Sequence, residues 1–454
     1  MKLKKTDITT NVHKIPSLKF EKQNLTSHSG IVIFQPILKT LQLKALLQGC
    51  FSHIKTKSSY SCHQILFLMI LHVVLGFKRL RGRDNYYHDP LIKRVLGLRS
   101  IPEVSTMTRV LGNADEESVE NVKSVSTKIV LNRIISEKLV RITLDFDGSV
   151  FSTSAYAEGT AVGYNKKKKG ARSYYPLLAT VAQTSQIFDF HHRSGNVHDS
   201  NGALGFITKC FESLRKSNPM TTLESRTDSA FFNETIIDYY LENNILFTQS
   251  VPFARFTELK EKIELRKRWK TIDATWSYFE EFWQPSSWSG SMRFVFLRQK
   301  VKVKQKGALQ LDLFEPISEE YEYKVILTNK TSKAKNILNF HNGRGSQEGI
   351  FAEAKTHANL DYIPTRKLIF NKLFTAASVI AHNITKELQM ATFERDRNTS
   401  EKRAALWKFS SLGTLRQNII NTAGRLVNVS GELTLSMNFN RKVKKQILTY
   451  INLA

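Results

Sequence analysis

The chain has 454 residues, 41% of them hydrophobic and 24% charged, which supplies apolar material for packed cores and excludes a mainly disordered polymer. Lys and Arg number 67 against 40 Asp and Glu, a formal charge of +27 that draws the chain to polyanions, nucleic acid first among them. An anionic membrane surface is the rival partner, but Met1 opens a polar segment without a signal-peptide core, and the most apolar stretch, 65–77, is too short to span a bilayer.

In chain order, the apolar-rich stretches 34–47 and 62–77 suit helices of a small domain. A basic turn at 77–85 leads to a helix in which Pro90 takes an early position, and Ser105 or Thr106 is placed to cap a short helix carrying Arg109. Short helices joined by basic turns fit a helix-turn-helix reader, although no spacing singles out a recognition helix. A further amphipathic helix covers 116–138, and then the texture changes. Segment 140–151 has the β-branched content of a strand, and 159–195 supplies two or three more with glycine-bearing turns. Helices at 201–214 and 233–243 alternate with strands at 221–231 and 245–250, which points to a mixed α/β core.

Segment 252–320 carries Trp269, Trp276, Trp283 and Trp288 and an alternating basic strand, and reads as a mostly β insertion. Tryptophans in such a cluster serve packing, or one of them stacks on an unpaired base. The core pattern resumes at 321–329, a long helical region covers 346–388, and the tail from Glu401 is basic. Cys50, Cys62 and Cys210 have no paired spacing and read as reduced residues of a cytosolic-type compartment.

Three acidic residues take comparable places in this pattern. Asp147 ends an apolar strand before Gly-Ser, Asp228 ends another before Ser-Ala, and Glu348 opens a helix after the returning strand. Carboxylates at neighbouring strand ends and one helix turn can hold two divalent metals about 3.5–4 Å apart, and magnesium takes such hard oxygen ligands. Asp145 competes with Asp147 on the same strand face, and Glu353 competes with Glu348. The run Lys166, Lys167, Lys168 and Lys169 sits in a glycine-flanked turn, as a solvated loop or as a contact to DNA phosphates.

The segment "HNGRGSQEGIFAEAK" places His341, Arg344, Glu348 and Lys355 at the intervals of the pattern Tyr-x2-Arg-x3-Glu-x6-Lys, with His341 in place of Tyr. "LDFDGSV" matches an Asp-Ser/Gly-Thr block through Asp147, with Ser149 in place of Thr, and "RTDSAFF" places Asp228. Through these blocks, together with "GYNKKKKGARSYYPLLA", "RSGNVHDSNGA" and "GTLRQNIINTAGRLV", the chain resembles the DDE transposases of bacterial insertion sequences, in the group with the Tyr-Arg-Glu-Lys signature.

The resemblance implies an α/β fold with an RNase H-like mixed-sheet catalytic core. It places a helical DNA-binding region at 1–135, the first part of the core at 136–251, a β-rich insertion at 252–320, the second part of the core at 321–395 and a basic region at 396–454. It implies a magnesium-dependent endonuclease and strand transferase, with manganese as a substitute, in which Asp147, Asp228 and Glu348 bind two metal ions. Arg344, Lys355 and Lys166 to Lys169 would position DNA phosphates. The expected partners are double-stranded DNA with terminal inverted repeats, target DNA and a second copy of the chain when DNA is bound. The expected location is the cytoplasm, on the nucleoid. A DNA-binding descendant with impaired catalysis and a structure-specific nuclease on the same core remain open alternatives.

Overall fold

The structure is a computed structural model that describes residues 17–55, 57–163, 165, 167–198, 201–300, 315–318 and 321–452. A short strand β1 (Leu25–Thr26) precedes helices α1 (Gln35–Thr40), α2 (Leu43–Gly49), α3 (Cys62–Leu75), α4 (Pro90–Leu96), α5 (Val104–Leu111) and α6 (Glu116–Ser136). Pro90 is the first residue of α4, where Asp89 accepts from the Leu91 and Ile92 amides, and Asp115 starts α6 by accepting from the Ser118 amide. Helix α5 begins earlier than its hydroxyl residues suggest. Extended backbone ends at Glu103, so Ser105 lies inside the helix and its carbonyl accepts from the Thr108 hydroxyl.

Strands β2 (Arg141–Gly148), β3 (Phe151–Thr153), β4 (Ala161–Val162), β5 (Arg172–Tyr174), β6 (Leu177–Val181) and β7 (Gln186–His191) follow, then α7 (Ala203–Ser217), β8 (Thr222–Thr227), α8 (Glu234–Glu242) and β9 (Leu246–Ser250). Next come α9 (Thr257–Glu264), β10 (Lys270–Thr271), β11 (Trp276–Trp283), β12 (Met292–Lys300), β13 (Glu315–Ser318) and β14 (Tyr321–Thr328). The chain ends with α10 (Ala334–Asn342), α11 (Gly345–His357), α12 (Leu368–Thr392), α13 (Leu412–Leu415), β15 (Gly424–Val429), β16 (Glu432–Met437) and α14 (Arg441–Ile451). The helical region expected at 346–388 is therefore two helices. Pro364 lies in the break between α11 and α12, where it disfavours helical backbone at its predecessor and has no amide hydrogen to donate.

The main sheet runs β10-β11-β12-β14-β9-β8-β2-β6-β7, with β13 added to β14. Strands β2, β8 and β9 are parallel, whereas β6 and β7 on one side and β14, β12 and β11 on the other are antiparallel. Helices flank this mixed sheet, and the run β7-β6-β2-β8-β9 is an RNase H-like core. Strands β11 and β12 continue the same sheet past β14, so the tryptophan-rich segment shares its hydrogen-bond ladder. Trp283 and Trp288 are buried, the latter stacked on Phe232, while the half-buried Trp269 packs edge-on against Phe279.

Alternation along the strands assigns the two faces. Ile142, Leu144 and Phe146 of β2 join Phe294 and Phe296 of β12 and Val325 and Leu327 of β14 in one apolar layer with α7 and α8. On the opposite face, Val295, Leu297 and Ile326 meet Ala334, Ile337 and Leu338 of α10. The open edge at β7 is closed by α6 and α12. Asn383 of α12 accepts from the Ile187 amide at 2.9 Å and donates to its carbonyl at 2.7 Å, imitating a neighbouring strand. Helix α12 also packs on α3, and the core there takes in α1 to α5, α11 and the C-terminal residues Leu412, Ile420 and Tyr450. Strand β1 pairs with β15, tying the two ends of the described chain together. No single helix among the described residues is long and apolar enough to cross a membrane.

Candidate active site

The polar face of the central strands builds the site. In the parallel pair β2–β8, Thr143 lies opposite Glu224 and Asp145 opposite Arg226. The Thr143 hydroxyl donates to the Glu224 carboxylate at 2.8 Å. Asp145 accepts from Arg226 Nε at 2.5 Å and Nη2 at 2.7 Å, and both side chains are fully buried. Burial pushes the Asp145 carboxyl upward and the Arg226 guanidinium opposes that shift. Asp147 lies two residues beyond Asp145 on β2, and Asp228 directly follows β8, two residues beyond Arg226.

Asp147 is partly exposed; its Oδ1 accepts from the Gly148 amide at 2.7 Å and its Oδ2 from Arg344 Nη1 at 3.3 Å. Asp228 caps the following turn by accepting from the Ala230 amide at 3.0 Å. Glu348 is exposed in the first turn of α11, and that turn is pinned to β2 because Gln347 Nε2 donates to the Asp145 carbonyl at 2.8 Å. The two competing acids are engaged elsewhere, Asp145 with Arg226 and Glu353 with Lys386 of α12 at 2.7 Å.

Arg344, the residue at the start of α11, reaches Asp147. Its side chain is only 11% exposed, and burial works against its charge, but the carboxylates of Asp147, Asp228, Asp145 and Glu348 together hold it above the ordinary arginine value. Lys355 reaches the Val150 carbonyl at 3.4 Å; burial and the charge of Lys167 lower its pKa, while Asp361 and Asp147 raise it. Lys167, Lys168 and Lys169 are exposed in a turn closed by the Asn165 side chain, which accepts from the Lys168 amide at 3.0 Å. Lys166 lies outside the described residues.

His341, which stands where the motif has Tyr, is buried in the end of α10. Its Nε2 bonds the Ser250 hydroxyl and its Nδ1 the Thr248 hydroxyl, each at 2.9 Å, fastening α10 to β9. Burial first, then Lys324, Arg344 and Arg226, push its pKa well below the usual imidazole value. Lys324 on β14 donates to Asn342 at 3.1 Å, and burial with the nearby Arg344 lowers it to about 7.

Among the described residues, no three His, Cys, Asp or Glu side chains stand close enough as placed to hold a metal. Carboxylates such as those of Asp147, Asp228 and Glu348 are hard oxygen donors, the kind that a divalent cation such as magnesium takes.

Residues 11–453 match the family described as Transposase DDE domain group 1. The chain belongs to this transposase family. No curated protein matches it. Among solved structures, the piggyBac transposase in a synaptic complex with hairpin DNA is similar over 86% of this chain and 78% of its own, with 11% identity and a TM-score of 0.43. The Drosophila P element transposase strand transfer complex matches 47% of this chain and 43% of its own, with 12% identity and a TM-score of 0.23. The Mos1 transposase paired-end complex matches 43% of this chain and 60% of its own, with 13% identity and a TM-score of 0.18.

Three residues of this transposase-family site carry weight that motif spacing does not show. Arg226 falls inside "RTDSAFF", and strand alternation alone puts it on the face of Asp228. Gln347 adjoins Glu348, and Lys324 lies on a strand that otherwise reads as plain core. Arg226 left one sign, its place inside the "RTDSAFF" block two residues before Asp228.

Proposed function

We propose that this transposase cuts DNA at the ends of a bacterial insertion sequence and transfers the freed 3′-hydroxyl into target DNA. The observation that carries this reading is the match of residues 11–453 to the DDE transposase family, and the contact of Arg344 with Asp147 at 3.3 Å supports it. The +27 charge supports DNA as substrate.

Asp147, Asp228 and Glu348 would hold the metal ions. Magnesium ions held there supply activation of the attacking oxygen and charge stabilisation at the leaving oxygen. Asp147 and Asp228 are held by rigid neighbouring strands, so their relative position is set before DNA arrives. Arg344 moves from Asp147 to a phosphate of the DNA end, where its planar fork suits two phosphate oxygens. Lys355 and Lys166 to Lys169 hold the backbone of the same end as point charges. His341 is occupied by two hydroxyls of β9, so the exchange of Tyr for His bears on the fit of α10 rather than on reacting atoms. Two chains act on the two element ends.

The test is an assay with a donor plasmid carrying the inverted repeats that flank the gene, a target plasmid and magnesium. Cleavage at the repeats with joining of 3′ ends to the target is expected. Cleavage without joining would instead establish a nuclease, and DNA binding with neither step would establish an impaired descendant.

A further inference from the structure

The buried guanidinium of Arg226 is engaged in ways that a role at DNA or metal would not require. Its Nε and Nη2 hold both oxygens of Asp145, two residues before Asp147. Its Nη1 donates to the Phe340 carbonyl at 2.9 Å, at the end of α10, and to the Lys402 carbonyl at 2.7 Å. Arg226 itself lies two residues before Asp228. One side chain therefore joins the two strands that present aspartates to the helical junction that presents Arg344 and Glu348.

The junction is fitted closely. At Gly343, between α10 and α11, a Cβ would overlap the Lys402 carbonyl and the Arg226 Nη1, although its backbone is ordinary right-handed helix. Residues 400–406 are strapped against this spot. Arg403 bonds Glu224 at 2.7 Å, and the Leu406 amide donates to the Gln183 carbonyl at 2.8 Å. Glu224, fully buried, also receives Lys330 at 2.6 Å and Arg141 at 2.8 Å, so it locks the strap to the strand that carries Arg226. Gln347 adds the second tie, from α11 to the Asp145 carbonyl.

We infer that Arg226 is a positioning residue, which sets the mutual placement of Asp147, Asp228 and Glu348 through Asp145, the Phe340 carbonyl and the 400–406 strap. The inference rests on the functional reading of those three carboxylates. A fixed fork suits the task, because a guanidinium aims its donors at several fixed directions at once while an ammonium does not. Residues that orient metal-binding side chains without touching the metal typically change affinity by about 10–100-fold when altered.

The experiment compares the full-length wild type with Arg226→Lys and Gln347→Met, using manganese titration calorimetry and the manganese dependence of DNA cleavage. Circular dichroism and thermal melting check that each variant is folded. Both variants are expected to bind DNA as the wild type does. Arg226→Lys is expected to weaken manganese binding by about 10–100-fold, with cleavage largely recovered at saturating metal. Gln347→Met, which removes only one hydrogen bond, is expected to shift metal affinity in the same direction by less, and it keeps the test decisive where Arg226→Lys fails to fold. Unchanged metal affinity in folded variants would overturn the inference, as would a loss of rate that is equal at every metal concentration. A wild type that neither binds manganese nor cuts DNA would overturn the functional reading, and the inference with it.

Discussion

His72 offers a stability test whose magnitude follows from its surroundings. It is fully buried in α3, its Nδ1 lies 2.7 Å from the Tyr86 hydroxyl and its Nε2 lies 3.1 Å from the Arg79 carbonyl. A carbonyl cannot donate, so Nε2 carries the proton and Nδ1 accepts from Tyr86 in a neutral ring. Burial lowers its pKa from 6.5 to about 4, against a smaller opposite effect of the Arg79 carbonyl. A folded value below the unfolded one means that the unfolded chain binds the proton first. Stability is therefore complete above the unfolded value and is lost as pH falls from 6.5 toward 4. Between about pH 7 and pH 5 the loss from this one group is about 2 kcal/mol.

His72→Gln retains amide hydrogen bonding without titrating. Native-state hydrogen exchange gives the opening free energy of the α3 amides at both pH values for both proteins. The wild type is expected to lose about 2 kcal/mol more than the variant, and the comparison cancels every group that titrates alike in the two. Equal losses would refute the neutral, buried assignment of His72.

Replacing Lys166 to Lys169 with alanine is expected to weaken DNA binding and to flatten its salt dependence by about one slope unit for each phosphate the run no longer neutralises, read from titrations at several salt concentrations. Glu224→Gln leaves Arg141, Lys330 and Arg403 around a neutral amide, and is expected to cost about 3–5 kcal/mol in denaturant unfolding. The Glu224 carboxyl has a depressed pKa of about 2, through hydrogen bonds and charges of Arg403 and Lys330 that outweigh its desolvation. Its stabilisation is present above the unfolded value of 4.5 and is lost as pH falls toward 2, a dependence the variant should lack in acid titration. Asp145→Asn, which leaves Arg226 buried without its ion-pair partner, is expected to lower stability by about 3–5 kcal/mol in the same measurement.

Strand and helix positions were largely legible because local pattern and capping agree with the fold. Asp89 and Pro90 mark α4, Asp115 marks α6, and the β-branched run before Gly148 marks β2. The break between α11 and α12 was hidden because apolar residues continue across it, although Pro364 was its visible sign. That β11 and β12 extend the core sheet was not legible, since strand order depends on long-range pairing and leaves no mark in local alternation. At the site, motif intervals set Arg344 and Glu348 at the start of α11 and Lys355 in its last turn, while the pairing of β2 with β8 shows that Asp145 and Arg226, each two residues before an aspartate of the motif, lie opposite one another. The Asp-Gly-Ser block favoured Asp147 over Asp145 in the sequence. Both lie on one face of β2, and what spacing could not show is that Arg226 on the partner strand engages Asp145.

The carboxylate assignment is tested most directly with Asp147→Asn, Asp228→Asn and Glu348→Gln, each near-isosteric with the residue it replaces. Purified, folded variants are compared with the wild type for manganese binding by calorimetry and for magnesium-dependent cleavage of DNA carrying the element ends. Each variant is expected to lose metal binding and nearly all cleavage while it keeps its affinity for DNA. Cleavage at the wild-type rate by any one of them would contradict the assignment of that carboxylate.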